Sequence, residues 1–343
     1  MHDAELIRRA VLQGLARDRT PGWSFTGHFQ HLQWPVIGDD AMTVTLPVGP
    51  HIEDAGGNLH LTALLVLFDA ALASTTRLRV QPGTRLATTH INVQLTGVRA
   101  AHDARVEARN VGAAQADALP QLLAHGTLFS GSDIVMSGNG AFVQIAPPAG
   151  VRAMAPLPWQ RSGAADPPPL SPDELDARER EVMTACEAAL AVCAMPAPRE
   201  AQLANAMQYA SSTHATGAGQ AARATQHVGS GLSFLDHFWG ITPQRTADGA
   251  QCVVSTGPQL ANRVGHVQGG ILMGMAAATA RCAAPNHPLL SNLSAWFTGP
   301  GRGDTLLVKS WPVHTGRNLA VVRTEITGEN GARVLEATSA HAA

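Results

Sequence analysis

The sequence predicts an α+β protein in which one structural unit occurs twice. Both halves of the 343-residue chain show a strand, a long apolar helix and then three or four long strands. The two helices are expected at residues 61–78 and 269–284, and each is apolar nearly all round, as is typical of a helix wrapped by a sheet. We therefore expect two units, each a long central helix wrapped by an antiparallel sheet, packed side by side as a pseudo-dimer.

The other elements follow from hydrophobic periodicity. An amphipathic helix is expected over residues 4–17. Strands are expected at 41–48, 88–95, 104–111, 122–130 and 140–146 in the first half, and at 250–258, 290–297, 304–313, 319–327 and 333–342 in the second. Between the halves, "SPDELDARERE" predicts a helix that Ser171 caps and that reaches Ala194. The small polar residues of 211–231 predict a loop.

These elements divide the chain into four parts. Residues 1–22 form an N-terminal helix, and 23–149 form the first domain. A Pro-rich linker, 150–230, contains the helix near 171–194, and its composition excludes a long sheet. Residues 231–343 form the second domain.

Composition bears on the class of partner. A net charge of -2 argues against a nucleic-acid or anionic-membrane partner. No apolar run approaches the length of about 20 residues that spans a membrane. The N-terminus is charged and helical, and the four cysteines form no C-x-x-C pair, so we expect a cytoplasmic protein. The 15 histidines show no metal-binding spacing on a helix, and nucleotide-binding motifs are absent, so neither metal nor cofactor is predicted.

Four stretches of the second half together resemble one family. They are "NRVGHVQGGIL", "FTGPGRGDTL", "TGRNLA" and "ENGARVLEATS". They resemble the hotdog-fold acyl-CoA thioesterases of the phenylacetate-pathway type, whose pattern is N-x-x-G-x-x-H-G-G, then an Asp on the helix and a Thr or Ser at a strand start. The resemblance covers most of 231–343 and, more weakly, 23–146. It implies two tandem hotdog domains, a double hotdog, with an acyl-CoA substrate bound between them.

The two halves match this pattern in complementary ways. The second half has Asn262, Gly265, Gln268, Gly269, Gly270, Ala277 and Leu290 at the pattern positions. The first half has Asp54, Gly57, His60, Leu61, Thr62, Asp69 and Thr88 there. The first half therefore keeps the acid and the threonine, whereas the second keeps the asparagine and the glycine pair.

The resemblance implies one complete site that draws on both halves. Its catalytic residues would be Asp69, Thr88, Asn262, Gln268 and Gly269. The carboxylate would act as general base or as nucleophile, two routes that the sequence leaves open. The backbone N–H of Gly269, at a helix start, would bind the oxyanion. Gln268, which replaces the family's histidine, cannot exchange a proton near neutral pH and could only orient its neighbours.

Each of these residues also has a structural alternative. Asp69 could be a buried structural acid, Thr88 an ordinary strand residue, and the glycine pair a close helix contact. Gln268 and Asn262 could cap the helix start. Gly270 and two arginines, Arg302 and Arg317, are candidate substrate-binding residues, the arginines through the CoA phosphates. An oligomer of double hotdogs is compatible with the resemblance.

The remaining pattern positions form a mirror site. It consists of Asp54, His60, Leu61, Ala277 and Leu290, and it has no base, so we expect it to be inactive. Two other functions stay open. One is a non-catalytic acyl-CoA-binding protein. The other, an enoyl-CoA hydratase or dehydratase, is disfavoured because no Asp–His pair adjoins either helix start in the sequence.

Overall fold

The computed structural model describes residues 2–20, 22, 24–112, 121–145, 154–160, 166–194 and 231–343. Its helices are α1 (His2–Asp18), α2 (Phe25–Phe29), α3 (Leu61–Thr76), α4 (Ala177–Ala194), α5 (Phe234–Phe238) and α6 (Gly269–Ala283). The strands of the first half are β1 (Gln33–Ile37), β2 (Ala41–Leu46), β3 (Arg85–Leu95), β4 (Ala104–Val111), β5 (Gln121–Ser130) and β6 (Asp133–Ile145). Those of the second half are β7 (Gln244–Thr246), β8 (Gly249–Ser255), β9 (Leu289–Phe297), β10 (Thr305–Thr315), β11 (Leu319–Gly328) and β12 (Arg333–Ala342).

All these strands belong to one antiparallel sheet of 12 strands. Its order is β1-β2-β4-β5-β6-β3-β9-β12-β11-β10-β8-β7, so each half contributes six strands in the same relative order. The halves join where β3 pairs with β9, from His90 opposite Trp296 to Gln94 opposite Asn292. This arrangement agrees with the predicted helix-and-antiparallel-sheet fold and with its internal repeat.

The two long helices pack against each other on one face of this sheet, in the core. Helix α3 is buried over almost its whole length, which explains why it lacks a polar face. With the turn that follows, Leu61–Arg79 is long and apolar enough to cross a membrane, which corrects the expectation that no run has this length. Because 78% of that window is buried inside the fold, the segment is a core helix.

Glycines allow α3 and α6 to approach closely at two equivalent points. A Cβ added to Gly270 would lie 2.4 Å from Val66 Cα, and one added to Gly274 would lie 2.2 Å from Thr62 Cγ2. In the repeat, Gly270 corresponds to Thr62, and Gly274 to Val66. Each contact therefore pairs a glycine of α6 with a larger residue of α3, so the glycines of the second half compensate for the pair missing from the first.

Two short helices are not predicted by the hydrophobic periodicity of the sequence. Helices α2 and α5 have five residues each, too few for a periodic signal. They nevertheless repeat one motif, S-F-x-x-H-F, at 24–29 and 233–238, which would have revealed them. The two helices adjoin each other, since the ring centroids of Phe29 and Phe238 are 5.3 Å apart. The short edge strands β1 and β7 were missed for the same reason.

The linker helix begins later than the sequence predicts. Helix α4 starts at Ala177, and Asp176 caps it, because Asp176 Oδ1 accepts a hydrogen bond from the Glu179 backbone N–H at 2.8 Å. Ser171 instead precedes a separate 3₁₀ turn, Pro172–Glu174, after which Leu175 is extended. The predicted end at Ala194 is correct. The predicted loop at 211–231 lies outside the described residues except for its last position.

Candidate active site

The same tight loop precedes each central helix. Asn262 Oδ1 accepts hydrogen bonds from the backbone N–H groups two and four residues later, at 3.0 and 3.1 Å. Asp54 Oδ1 does the same in the first half, at 2.8 and 3.0 Å. Gly265 and Gly57 follow with φ of +78° and +74°, the left-handed region that favours glycine. Asn262 Oδ1 therefore shapes the turn, while the residue also lines the cavity, so its predicted part in catalysis stays a prediction.

Asp69 lies in the middle of α3 and is only 6% exposed. Its Oδ2 accepts a hydrogen bond from Gln268 Nε2 at 2.7 Å, across 199 residues of sequence. Its Oδ1 accepts one from the Thr88 hydroxyl at 3.3 Å, and the backbone N–H of Gly270 also donates to the carboxylate. Three donors, drawn from both halves of the chain, thus surround this acid.

Gln268 is held at both ends of its amide. Its Oε1 accepts a hydrogen bond from the Ile271 backbone N–H at 3.0 Å, so the residue caps α6, and its Nε2 is then directed at Asp69. His60 has the equivalent position in the first half and caps α3 in the same way, with Nδ1 accepting from Thr62 N–H. Capping and contact with the acid are therefore not alternatives for Gln268, because one side chain does both.

Gly269 adjoins the carboxylate directly. A Cβ at this residue would lie 2.8 Å from Asp69 Oδ2 and 3.4 Å from the Phe297 ring, so a side chain would displace the acid. As the first residue of α6 it has no intrahelical acceptor for its N–H, and it lines the cavity. Gly270, in contrast, packs against the α3 backbone and lies outside the cavity wall. Its predicted role in substrate binding is therefore wrong, and the helix-contact alternative applies.

Burial dominates the electrostatics of Asp69. Desolvation raises the pKa of its carboxyl to about 6, against the opposing hydrogen bonds from Thr88 and Gly270. Above this pH the carboxylate is ionised inside an apolar core. A carboxylate with a pKa near the working pH is suited to accept a proton from water.

A cavity of about 560 Å³ adjoins these groups and is lined by residues of both halves. Arg302 lines it and donates from Nε to His266 Nε2 at 2.7 Å. Arg317 does not line it. That residue lies in the turn between β10 and β11, at the end of β10 far from Arg302, roughly 30 Å along the strand. The predicted contact of Arg317 with substrate is therefore wrong.

Several cavity residues were not identified from the sequence. Three further arginines, Arg77, Arg85 and Arg263, line the same space, as do Met154 and Leu157 of the linker. Arg77 follows Asp69 by eight residues, so helical spacing alone could have placed it on the same face of α3. The other contacts are long-range, and no local pattern indicates them.

A hydrogen-bonded histidine–aspartate pair fills the mirror site. Asp236 in α5 has the position that Gly27 has in α2, and its Oδ1 lies 3.1 Å from His60 Nε2. Gly27 lines the cavity beside Asp69, whereas the Asp236 side chain occupies the corresponding space. Burial alone would raise the pKa of Asp236, but its hydrogen bonds with His60 and Ser233 lower it to about 2. An Asp–His pair thus does adjoin a helix start, which corrects the sequence-based expectation.

Both ring nitrogens of His60 and both carboxylate oxygens of Asp236 already take part in hydrogen bonds. His60 Nδ1 accepts from Thr62 N–H, so Nε2 carries the proton that Asp236 binds. Asp236 Oδ2 accepts from the backbone and hydroxyl of Ser233. The pair is therefore arranged as a structural contact.

Ala277→Asp alone is expected to leave turnover per chain unchanged. Position 277 corresponds to Asp69, but Leu290 lacks the hydroxyl of Thr88 and Asp236 blocks the space where substrate would lie. Steady-state turnover, with Ala277→Asn as the control for overpacking, tests this. A doubling of turnover would mean that the mirror site is nearly intact.

No group of three or more His, Cys, Asp or Glu side chains suited to a metal ion occurs among the described residues. The candidate site is therefore built from a carboxylate, two neutral polar side chains and a helix N-terminus, next to a cavity with a basic lining.

Comparisons with known proteins give a family model and several solved structures to which this chain is similar. Residues 258–342, about a quarter of the chain, match the family model described as the acyl-CoA thioesterase N-terminal domain. A comparison with curated proteins found no significant match.

One of the solved structures similar to this chain, the first described here, shows the fold. A Novosphingobium aromaticivorans protein described as a candidate thioesterase aligns with a TM-score of 0.51 at 11% identity, covering 90% of this chain and 97% of that one. A tesB protein of Mycobacterium avium aligns with a TM-score of 0.46 at 11% identity, over 91% and 96%. A Bacillus halodurans protein solved with CoA aligns with a TM-score of 0.34 at 18% identity, over 49% and 95%. The family model shows that residues 258–342 are similar to a domain of the acyl-CoA thioesterase type, and the first of these structures shows that the chain shares its fold.

Proposed function

We propose that this chain is an acyl-CoA thioesterase with one composite site, formed by Asp69 and Thr88 with Gln268 and Gly269. The observation that carries the proposal is the 2.7 Å hydrogen bond from Gln268 to Asp69, made between the two halves beside a cavity. The acid comes from one helix, and the helix N-terminus that faces it comes from the other. Neither half supplies both.

The chemistry follows from these positions. The thioester carbonyl accepts a hydrogen bond from the Gly269 N–H, where the helix N-terminus stabilises developing negative charge. Asp69 takes a proton from water as the water oxygen bonds to the carbonyl carbon. The tetrahedral intermediate then expels the CoA sulfur, which takes up a proton. Attack by the carboxylate itself is the other route, and Thr88 and Gln268 orient the acid in both.

The domain organisation is part of the proposal. Residues 23–149 and 231–343 would be two tandem hotdog domains, each with one long helix and six strands, after an N-terminal helix in 1–22 and joined by the linker 150–230. The repeated strand order and the repeated loop before each helix support this division. The phenylacetate-pathway type, the cytoplasmic location and a homo-oligomer stay predictions from the sequence.

Release of free CoA from a panel of acyl-CoAs tests the activity. The wild-type chain is expected to hydrolyse at least one member catalytically. Binding of acyl-CoA without any turnover would instead favour the non-catalytic acyl-CoA-binding protein. Loss of the enoyl double bond without CoA release would favour the enoyl-CoA hydratase or dehydratase instead.

The rate should depend on pH through Asp69. Below about pH 6 its carboxyl is protonated and cannot accept a proton, so kcat should fall about tenfold per pH unit there and level off above it. Thr88→Val removes a hydrogen bond that lowers the pKa of Asp69, so the variant's profile should shift to higher pH. A flat wild-type profile down to pH 5 would contradict the role of Asp69 as a base.

A further inference from the structure

One stripe of α3 connects the catalytic acid to an arginine. Val66, Asp69, Ala73 and Arg77 all line the cavity at helical spacing. From Asp69 to Arg77 the helix rises by about 12 Å. Between them the lining includes small apolar side chains of α3 and apolar residues of β3 and β6, such as Leu86 and Ile145, together with some polar groups such as Ser74. A largely apolar stretch of the cavity wall thus separates the acid from the positive charge of Arg77.

The charge of Arg77 is unbalanced in the described part of the chain. Its Nη1 donates to the Thr84 carbonyl at 3.0 Å, and no described carboxylate lies within ion-pair distance of its guanidinium. Burial, together with the nearby positive charge of Arg263, lowers the pKa of Arg77 to about 10. A half-buried guanidinium such as that of Arg77, with no acidic partner among the described residues, is unfavourable unless an anion joins it.

We infer that Arg77, with Arg263 beside it, forms an anion subsite at the inner end of the cavity, and that it binds an anionic oxygen group of the substrate. Arg263 is oriented for this by its hydrogen bond to the Ala155 carbonyl, in the linker segment that covers this end. The planar guanidinium suits both a carboxylate and a phosphate. The inference rests on the proposed function, because it identifies that group as part of an acyl-CoA.

Both ends of an acyl-CoA can supply such a group. One source is a phosphate of CoA, and the other is the distal carboxylate of a dicarboxylic acyl chain. On its other side the cavity adjoins an open groove with its own basic residues, Arg178, Arg302 and His266. That groove is exposed and can receive the bulky nucleotide, whereas the inner end, beneath the linker segment, has room for a smaller group.

The test compares hexanoyl-CoA with adipoyl-CoA, which differ by one distal carboxylate. If that carboxylate binds the subsite, Arg77→Gln lowers kcat/KM for adipoyl-CoA by about 10- to 100-fold, the usual loss for a charge-assisted hydrogen bond, and spares hexanoyl-CoA. If a CoA phosphate binds there, the variant weakens binding of free CoA and lowers kcat/KM for both substrates equally. Arg317→Gln, an arginine far from the cavity, is the matched control and should change neither.

If Arg77→Gln leaves the affinity for free CoA and kcat/KM for both substrates unchanged, the subsite is overturned. Calorimetric binding of free CoA and of adipate needs no hydrolysis, so it still tests the subsite if the chain proves to lack thioesterase activity. If Arg77→Gln fails to fold, Arg77→Lys keeps the charge but loses the planar fork, and a smaller loss of the same kind is expected. If Arg77→Lys binds free CoA and adipate as tightly as the wild-type chain does, that result counts against the subsite.

Discussion

Replacing Asp69 by asparagine is expected to lower turnover about 10²- to 10⁴-fold, the range typical for loss of a general base. Asparagine has the same shape. Its carbonyl can accept the hydrogen bond from Gln268, and its amide can donate to the Thr88 oxygen, so the fold should survive. It cannot accept a proton near neutral pH. The rates of free-CoA release by the variant and by the wild type, measured side by side, give the loss of turnover.

The same variant should be more stable than the wild type at neutral pH. Desolvation raises the pKa of Asp69 in the folded chain from 3.8 to about 6, so the ionised form destabilises the fold by roughly 3 kcal/mol above pH 6. This destabilisation shrinks as the pH falls towards 3.8, because the carboxyl takes up a proton. The gain in free energy of unfolding should therefore be largest at pH 8 and smaller at pH 5, as urea titrations at the two values would show.

Asp54→Asn is the matched control for Asp69→Asn. Asp54 has the place that Asn262 has in the other half, and asparagine already makes the same turn there. Turnover and stability should both stay near wild type. Full activity in Asp69→Asn would refute the composite site and leave acyl-CoA binding without catalysis as the better account.

The second large effect is expected at the contact between the central helices. In Gly270→Ala the new Cβ would lie 2.4 to 2.6 Å from Val66 Cα, Val66 N and Leu65 C. These are backbone atoms that cannot rotate away, so the helices must separate. The variant should lose at least about 3 kcal/mol of unfolding free energy, the upper part of the usual overpacking range. Turnover should also fall, because the preceding residue, Gly269, would move away from Asp69.

Gly274→Ala provides the comparison for this effect. The three atoms nearest to its Cβ all belong to the Thr62 side chain, so the second substitution Thr62→Ala should restore most of the stability lost. No substitution of the Val66 side chain should rescue Gly270→Ala, because the clash there is with the α3 backbone. The urea midpoints of Gly270→Ala and Gly274→Ala, each measured alone and with its second substitution at Val66 or Thr62, test whether the two clashes differ in this way. Wild-type stability in Gly270→Ala would mean that the helices are less closely packed than described.

The sequence predicted what depends on local pattern. Two apolar runs with few charges predict the ends of α3 and α6 to within two residues. The alternation of apolar and polar residues predicts the long strands. The complementary loss of acid and glycine pair predicted which residues meet, and the Asp69–Gln268 contact agrees with it.

The rest depends on contacts between distant segments. Asp236 meets His60 from 176 residues away, and α5, on which it lies, is too short for a periodic signal. The pattern gives the residue type at Asn262 but not its hydrogen bonds, and the structure shows that its Oδ1 is held by the turn. Arg263 and Met154 reach the cavity only through the packing of the loop and the linker.

The pairing of β3 with β9 within one chain has an evolutionary consequence. In a symmetric homodimer every substitution appears in both sites at once, so a residue that harms one harms the other. Here each half mutates independently while the covalent tether keeps the halves together at any dilution. An alanine at 277 and an acid at 236 could therefore accumulate on one side of the axis without altering the other. The mirror site, no longer needed for catalysis, is then available for stabilising contacts. The asymmetry becomes hard to reverse, because several substitutions would have to be undone together.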